Sequence, residues 1–294
     1  MKSLNRRSFI QTAALSSLVL SGIPGISSLY SAEKGSGIKM GLCTYLWGKD
    51  MDLPALIKAC EEARLFGVEL RCDHKHGVGF ENSPAERKEV KKRFADSPVD
   101  LVGFGTNEAF HYQDPEKLKK CIDNTKEWIK LSADCGGKGV KVKPNDIPKG
   151  ADRGKITHQI ADALNEIGRF AADYGQIIRL ENHGSCSPIP IMKEIIEQVS
   201  AKNVGLCWNC NQDIDDREPG IAENFKSVQK YLADTVHVHE LEKSSYPYDI
   251  LVPLFIAMNY QGWFLLECHT KPSDPAQAMK DLRKEYEARW GIKG

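Results

Sequence analysis

The sequence predicts a single closed (β/α)8 barrel, and three observations carry that expectation. Strand-like and helix-like segments alternate eight times beyond the first thirty-odd residues. Links from helix into strand are tight, as at Phe66-Gly67 and Tyr174-Gly175-Gln176. Links from strand into helix are long, as at Cys72–Asn82, Lys143–Arg153 and Asn209–Pro219. No GxGxxG follows the first strand, which argues against an open, doubly wound nucleotide-binding sheet. The chain of 294 residues fits one such barrel in size.

The strands are expected at Lys39–Thr44, Val68–Arg71, Asp100–Gly105, Gly139–Val142, Ile177–Glu181, Val204–Trp208, Thr235–His239 and Trp263–Glu267. Helical periodicity follows them. Leu53, Leu56, Ile57 and Cys60 recur at helical spacing, as do Leu118, Cys121, Ile122 and Thr125. Ser83-Pro84, Asp114-Pro115 and Asp274-Pro275 each join an N-cap to a proline in the first turn. Gly67, Gly136, Gly175 and Gly262 read as stops.

The amino terminus is a different material. Asn5-Arg6-Arg7-Ser8-Phe9-Ile10-Gln11 precedes an apolar, small-residue run from Thr12 to Tyr30, which resembles a twin-arginine export signal. Residues 1–32 are therefore expected to be a signal peptide and 33–294 the barrel, with a periplasmic address. Ser, Gly and Pro dilute the run below the quality of a membrane anchor. The nine cysteines are expected as free, mostly buried thiols; the Cys207-Trp-Asn-Cys210 spacing has no second pair to make a zinc site. Forty basic and forty acidic residues balance, so nothing points to nucleic acid as a partner.

Chemistry collects at the strand exits. Side chains alternate along a strand, so Glu69 and Arg71 share a face, as do Lys141 and Lys143, Arg179 and Glu181, His237 and His239, and Glu267 and His269; Asn209 and Asn211 continue the parity of Cys207. A parallel strand is normally apolar on both faces. Here one parity turns polar near the carboxyl end of six strands, and in a barrel that parity converges on one end. Glu181, Glu267, Asn209 and His237 offer hard oxygen donors with one nitrogen. Such a set suits one divalent metal, Mn²⁺ or Mg²⁺ first, with Co²⁺ or Zn²⁺ as alternatives. Arg71, Lys141 and Lys143 are candidates for substrate oxygens, or for simple pairing with rim acids.

Glu-Asn-His at 181–183, His-x-His at 237–239 and Leu-Leu-Glu-Cys-His at 265–269 resemble the xylose-isomerase-like sugar isomerase/epimerase superfamily over essentially the whole chain after the signal. The resemblance implies that Glu181, His237 and Glu267 bind one divalent metal, usually manganese. It also implies that Glu181 and Glu267 are the catalytic acid and base on opposite faces of a sugar. The family's metal-binding aspartate falls at Asn209 and a following histidine at Gln212, a departure that removes a charge from the site. Substrate contacts are expected from Arg71, His74, His76, Lys141, Lys143, His183 and His239.

The implied reaction is proton abstraction beside a carbonyl through an enediolate, giving an isomerase or epimerase. The same enediolate can expel a β-substituent, so a 3-keto-glycoside lyase or hydratase is the alternative, and a non-catalytic sugar-binding barrel is the different-class one. The partner expected is a small sugar or keto-sugar. No stable membrane anchor is expected, and homo-oligomerisation stays open; Tyr246 and Tyr248 are read as exposed apolar rim residues that would suit a partner or a substrate lid equally. An endonuclease of similar fold would need a basic face and a richer metal cluster. An amidohydrolase would carry His-x-His on strand one, where Gly41, Cys43 and Tyr45 stand instead.

Overall fold

The computed structural model describes residues 37–242 and 244–293. Eight parallel strands close into a barrel in sequence order: β1 Lys39–Cys43, β2 Gly67–Arg71, β3 Asp100–Ala109, β4 Gly139–Lys143, β5 Ile177–Glu181, β6 Val204–Asn209, β7 Leu232–Val238 and β8 Trp263–Leu266. The helices between and after them are α1 Leu53–Ala63, α2 Pro84–Ala95, α3 Pro115–Cys135, α4 Arg153–Asp173, α5 Ile189–Ile196, α6 Ile221–Val228, α7 Tyr248–Ala257 and α8 Pro275–Trp290. The export-signal expectation, Arg6-Arg7 included, lies outside the described residues. Among those described, no helix is long and apolar enough to cross a membrane.

Strand parity divides the interior in two. Leu42, Leu70, Phe104, Val140, Val142, Ile178, Leu180, Leu206, Trp208, Val236, Phe264 and Leu266 turn outward and bury against the helices. The opposite parity fills the lumen with Glu69, Lys141, Arg179, Glu181 and His237, all fully or almost fully buried. Such a lumen holds only where each charge meets a partner. Arg179 does so at the amino-terminal end. It donates through Nε and Nη2 to Asp234 on β7 at 2.7 and 2.9 Å, and through Nη1 to the Val102 carbonyl at 3.2 Å. It therefore does not share a site with Glu181, two residues on. Gly103 and Gly139 make the room: a Cβ at either would approach Arg179 Nη1 to 3.0 Å.

The expected helix starts are present. Ser83 and Glu86 form a reciprocal capping box, while Asp114 and Asp274 accept from the first-turn amides. Gly136 and Gly175 take positive φ at helix ends. Gly67 and Gly262 do not. Arg64 supplies the left-handed cap of α1, and Gly67 instead accommodates the Trp263 ring, which a Cβ would meet at 2.6 Å. Gly262 likewise allows the Tyr260 ring to approach, where a Cβ would meet it at 2.5 Å. Strand β3 runs past its expected end to Ala109 through a register shift beyond Gly105, and this extension carries Asn107 to the rim. All nine cysteines are free thiols.

Candidate active site

The carboxyl ends of the strands open into a cleft of about 460 Å³ lined by Arg71, Lys143, Glu181, His183, Asn209, His239 and Glu267, with Tyr45, Gln212, Glu240, Tyr246, Tyr248 and His269 around the mouth. A larger hollow, about 640 Å³, opens at the other end of the barrel between Ile196, Tyr231 and Gln261. The metal-competent clusters found among the described residues include none of its lining side chains, so volume alone does not locate the chemistry.

At the floor of the cleft His237 stands between two carboxylates. Its Nε2 lies 3.1 Å from Glu69 Oε1 and its Nδ1 lies 3.0 Å from Glu267 Oε2. Burial opposes a charge on this ring, but Cys207, Glu267 and Glu69 outweigh it and hold the pKa well above the usual value. Burial likewise opposes ionisation of Glu69, yet His237 pulls its carboxyl down to about 2. Glu267 is held well below the carboxylate range as His237, Lys141 and Arg71 overcome its burial. Glu181 is buried against the Lys141 ammonium, which lowers its pKa in spite of desolvation. Three carboxylates thus meet three cations, Lys141, Arg71 and His237.

One detail of this arrangement bears on metal binding. Glu181, His237 and Glu267 each present a ligand atom within 4.8 Å of the others. His237 Nδ1 is buried there without a hydrogen bond of proper geometry. Glu69, on the far side of the ring, is placed to keep the Nε2 proton when a metal displaces the one on Nδ1, the usual carboxylate–imidazole–metal relay. The donor set therefore fits a divalent metal. Glu69→Gln is expected to weaken divalent-metal affinity about 10–100-fold, measurable by calorimetric titration. Unchanged affinity would remove Glu69 from that role.

Asn209 sits between Glu181 Oε1, 2.9 Å from its Nδ2, and His239 Nε2, 3.0 Å from its Oδ1. His239 Nδ1 faces the Glu267 carbonyl at 2.7 Å and must donate to it. Burial and the neighbouring His269 lower the pKa of this ring. A neutral His239 then presents a lone pair to Asn209. The same heavy-atom positions therefore suit an amide turned to give its NH2 to His239 and its carbonyl oxygen toward Glu181. Two oxygens facing each other call for a cation between them, so asparagine can stand as an uncharged ligand where an aspartate would bring a charge.

The expected substrate contacts divide. Arg71, Lys143, His183 and His239 line the cleft. Arg71 Nη2 and Lys143 Nζ both donate to Asn107 Oδ1, at 2.8 and 3.3 Å, while Arg71 Nη1 is buried without a partner. Burial and then Lys141 bring the Lys143 ammonium down to about 8. His183 uses Nδ1 on Asn145 Oδ1 at 2.9 Å. The structure does not bring Lys141, His74 or His76 to the cleft wall. Lys141 is buried behind Glu181 and donates to the Thr106 carbonyl. Both ring nitrogens of His76 serve the backbone, one on the Arg71 carbonyl at 2.8 Å and one accepting from Val78 N at 3.1 Å, so it braces the β2–α2 loop. His74 meets Thr44 and lines an adjoining hollow of about 270 Å³ with Phe80, Asn107, Glu108 and Trp128.

Sequence reasoning did not find Asn107, Asn182 and Asp215, nor the link from Glu69 to His237. Asn182 donates to Asp215 Oδ1 at 3.2 Å, and Tyr246 donates to Asp215 Oδ2 at 2.7 Å, fixing the loops after β5, β6 and β7 to each other. Tyr246 and Tyr248, expected as exposed rim residues, are buried by this network. Only the parity of Glu69 hinted at its place, since register across the lumen is not written in any one strand.

Solved structures with this architecture include the 3-keto-D-glucoside 4-epimerase of E. coli, 16% identical with a TM-score of 0.70 over 85% of this chain and 99% of that one. The D-psicose 3-epimerase of Clostridium cellulolyticum with D-tagatose is 14% identical, with a TM-score of 0.72 over 87% and 100%. The IolI protein with a zinc atom is 16% identical, with a TM-score of 0.68 over 84% and 96%. No curated protein sequence matches the chain. A profile of the xylose isomerase-like TIM barrel family matches residues 57–288. With that match spanning most of the chain, on a closed barrel with a metal-competent cluster at its carboxyl end, the protein belongs to the xylose isomerase-like TIM barrel family.

Proposed function

We propose that the chain is a metal-dependent sugar isomerase or epimerase in which Glu181 and Glu267 exchange protons with carbon next to a carbonyl. The observation that carries this reading is the convergence of both carboxylates on His237 at the floor of a sugar-sized cleft. Glu181, His237, Glu267 and the Asn209 carbonyl would hold the metal, with manganese the first choice. A dication bound there supplies Lewis-acid polarisation of the carbonyl and its neighbouring hydroxyl. The other roles belong to the chain. One glutamate takes the proton, leaving an enediolate, and the other, protonated by water entering the cleft, returns a proton from its own side. Arg71 and Lys143 offer N–H donors to substrate oxygens, and Tyr45 and His269 narrow the mouth of the cleft.

A second reading is elimination or hydration of a 3-keto-glycoside at the same carboxylates. It is favoured by the hollow beside the cleft, which shares Asn107 with Arg71 and Lys143 and exposes the Phe80 ring over Trp128. Such a wall suits the remainder of a glycoside, since aromatic faces pack well on sugar C–H groups.

Proton NMR in D₂O with Mn²⁺, over free ketoses, 3-keto-sugars and 3-keto-glycosides, tests both. Deuterium entering an intact sugar carbon is the expected result. Release of the aglycone or an unsaturated product moves the assignment to the second reading. No exchange with any substrate, together with no metal binding, leaves a sugar-binding barrel.

A further inference from the structure

Below the cleft floor a second group of ligands meets the same imidazole from its other side. Cys43 closes β1 and pairs in register with Glu69 on β2, so both side chains enter the lumen next to each other. Cys43, Glu69 and His237 present sulfur, oxygen and nitrogen atoms within 4.8 Å of one another. Their relative exposures are 1%, 0% and 0%. Tetrahedral zinc bonds of 2.0–2.3 Å place ligand atoms about 3.3–3.8 Å apart, so modest side-chain rotation closes the set. Glu69 Oε2 is buried with no hydrogen-bond partner, an expense that a cation would remove. Space for the Glu69 carboxylate comes from Gly105, where a Cβ would lie 2.4 Å from Oε1. Glu267 Oε1 lies 3.6 Å from the Cys43 sulfur and accepts from its thiol.

We propose that Cys43, Glu69 and His237 form an inner cation site for thiophilic dications such as Zn²⁺ or Cd²⁺, and that its occupancy excludes metal from the outer site at Glu181 and Glu267. The exclusion follows from the ring. A neutral imidazole has one lone pair. The outer site uses Nδ1 while Nε2–H donates to Glu69. The inner site uses Nε2 and leaves the proton on Nδ1, 3.0 Å from Glu267 Oε2, which draws that carboxylate from the outer site as well. Donor softness separates the two: a thiolate and an imidazole favour zinc and cadmium, whereas the oxygen-rich outer set favours manganese and magnesium. Binding displaces the Cys43 proton and one proton of the His237 imidazolium to solvent and forms sulfur–metal and nitrogen–metal bonds, with no change of oxidation state.

The inner site is a claim about metal binding and stands apart from the proposed catalysis. Cobalt titration of the metal-free full chain tests it, with Glu181→Gln included to weaken the outer site. Thiolate-to-cobalt charge-transfer absorption in the near ultraviolet is expected in Glu181→Gln and lost in the Glu181→Gln variants that also carry Cys43→Ser or Cys43→Ala. Two replacements guard against one that fails to fold. Absence of the band in Glu181→Gln, or its persistence without Cys43, overturns the site. Exclusion is read by electron paramagnetic resonance of bound Mn²⁺: Cd²⁺ should release it from the wild type at least tenfold more readily than from Cys43→Ser. Equal release overturns the exclusion. A chain that never binds Mn²⁺ counts against the outer site, while the cobalt band still reports on the inner one.

Discussion

Glu267→Gln is expected to lower kcat/KM on a keto-sugar by about 10²–10⁴-fold, the usual worth of a positioned acid or base. The substitution keeps shape and removes charge. It takes away a proton acceptor and leaves His237 Nδ1 facing an amide instead of the carboxylate now 3.0 Å away. Loss of a metal ligand would add to the deficit. The barrel should survive, because the Glu69 side of the ring stays paired and Glu267 makes few other structural bonds; a melting temperature within a few degrees of wild type checks this. A Glu267→Gln protein that turns over normally would remove the residue from catalysis. Unchanged sugar binding with no activity in either protein would favour a binding barrel.

Asp234→Ala is expected to cost about 2–3 kcal/mol of stability without touching the cleft. Deleting one member of a buried ion pair leaves the other charge stranded, at roughly 3–5 kcal/mol in a fully dry site. The lower figure applies because the Asp234 side chain is 33% exposed while Arg179 is 0% exposed, so water screens one side of the pair. Urea unfolding reads the loss. Arg179→Met on the Asp234→Ala background should recover part of it, since the stranded guanidinium is gone. A loss under about 0.5 kcal/mol, within the range of an ordinary surface substitution, would show that the lumen arginine does not depend on this carboxylate.

The pH dependence of that pair has a definite sign. Arg179 overcomes the burial of Asp234 and holds its carboxyl below the usual aspartate value. A depressed carboxylate contributes stability above its unfolded pKa, about 3.9, and loses it as pH falls through the folded value. The gap between wild type and Asp234→Ala should therefore be full at pH 6 and shrink below about pH 4.

How far the chain could be read without coordinates differs between fold and site. Periodicity and capping gave the barrel because each is local: Asp114 and Asp274 cap helices within three residues of themselves. Where a neighbour across the fold decides, the local reading failed. Gly67 and Gly262 look like helix stops, yet each is glycine because a group distant in sequence comes close, the Trp263 ring at Gly67 and the Asp234 carbonyl at Gly262. Tyr246 looks like a rim residue, yet Asp215 and Trp208 claim its hydroxyl.

The sequence by itself determined which side chains enter the lumen, since alternation along a strand leaves no freedom once the outward face is apolar. It also determined that acids, amide and imidazole gather at one end, because every parallel strand exits there. Only the tertiary structure decided which of them meet. Arg179 and Glu181 share a face but part company, one reaching down to Asp234 and the other turning to Lys141. His237 finds Glu69 from a strand distant in sequence. The physical reason is that parity fixes direction along one strand, whereas partnership across a closed lumen depends on register, on the reach of each side chain, and on the space that residues such as Gly103, Gly105 and Gly139 leave open.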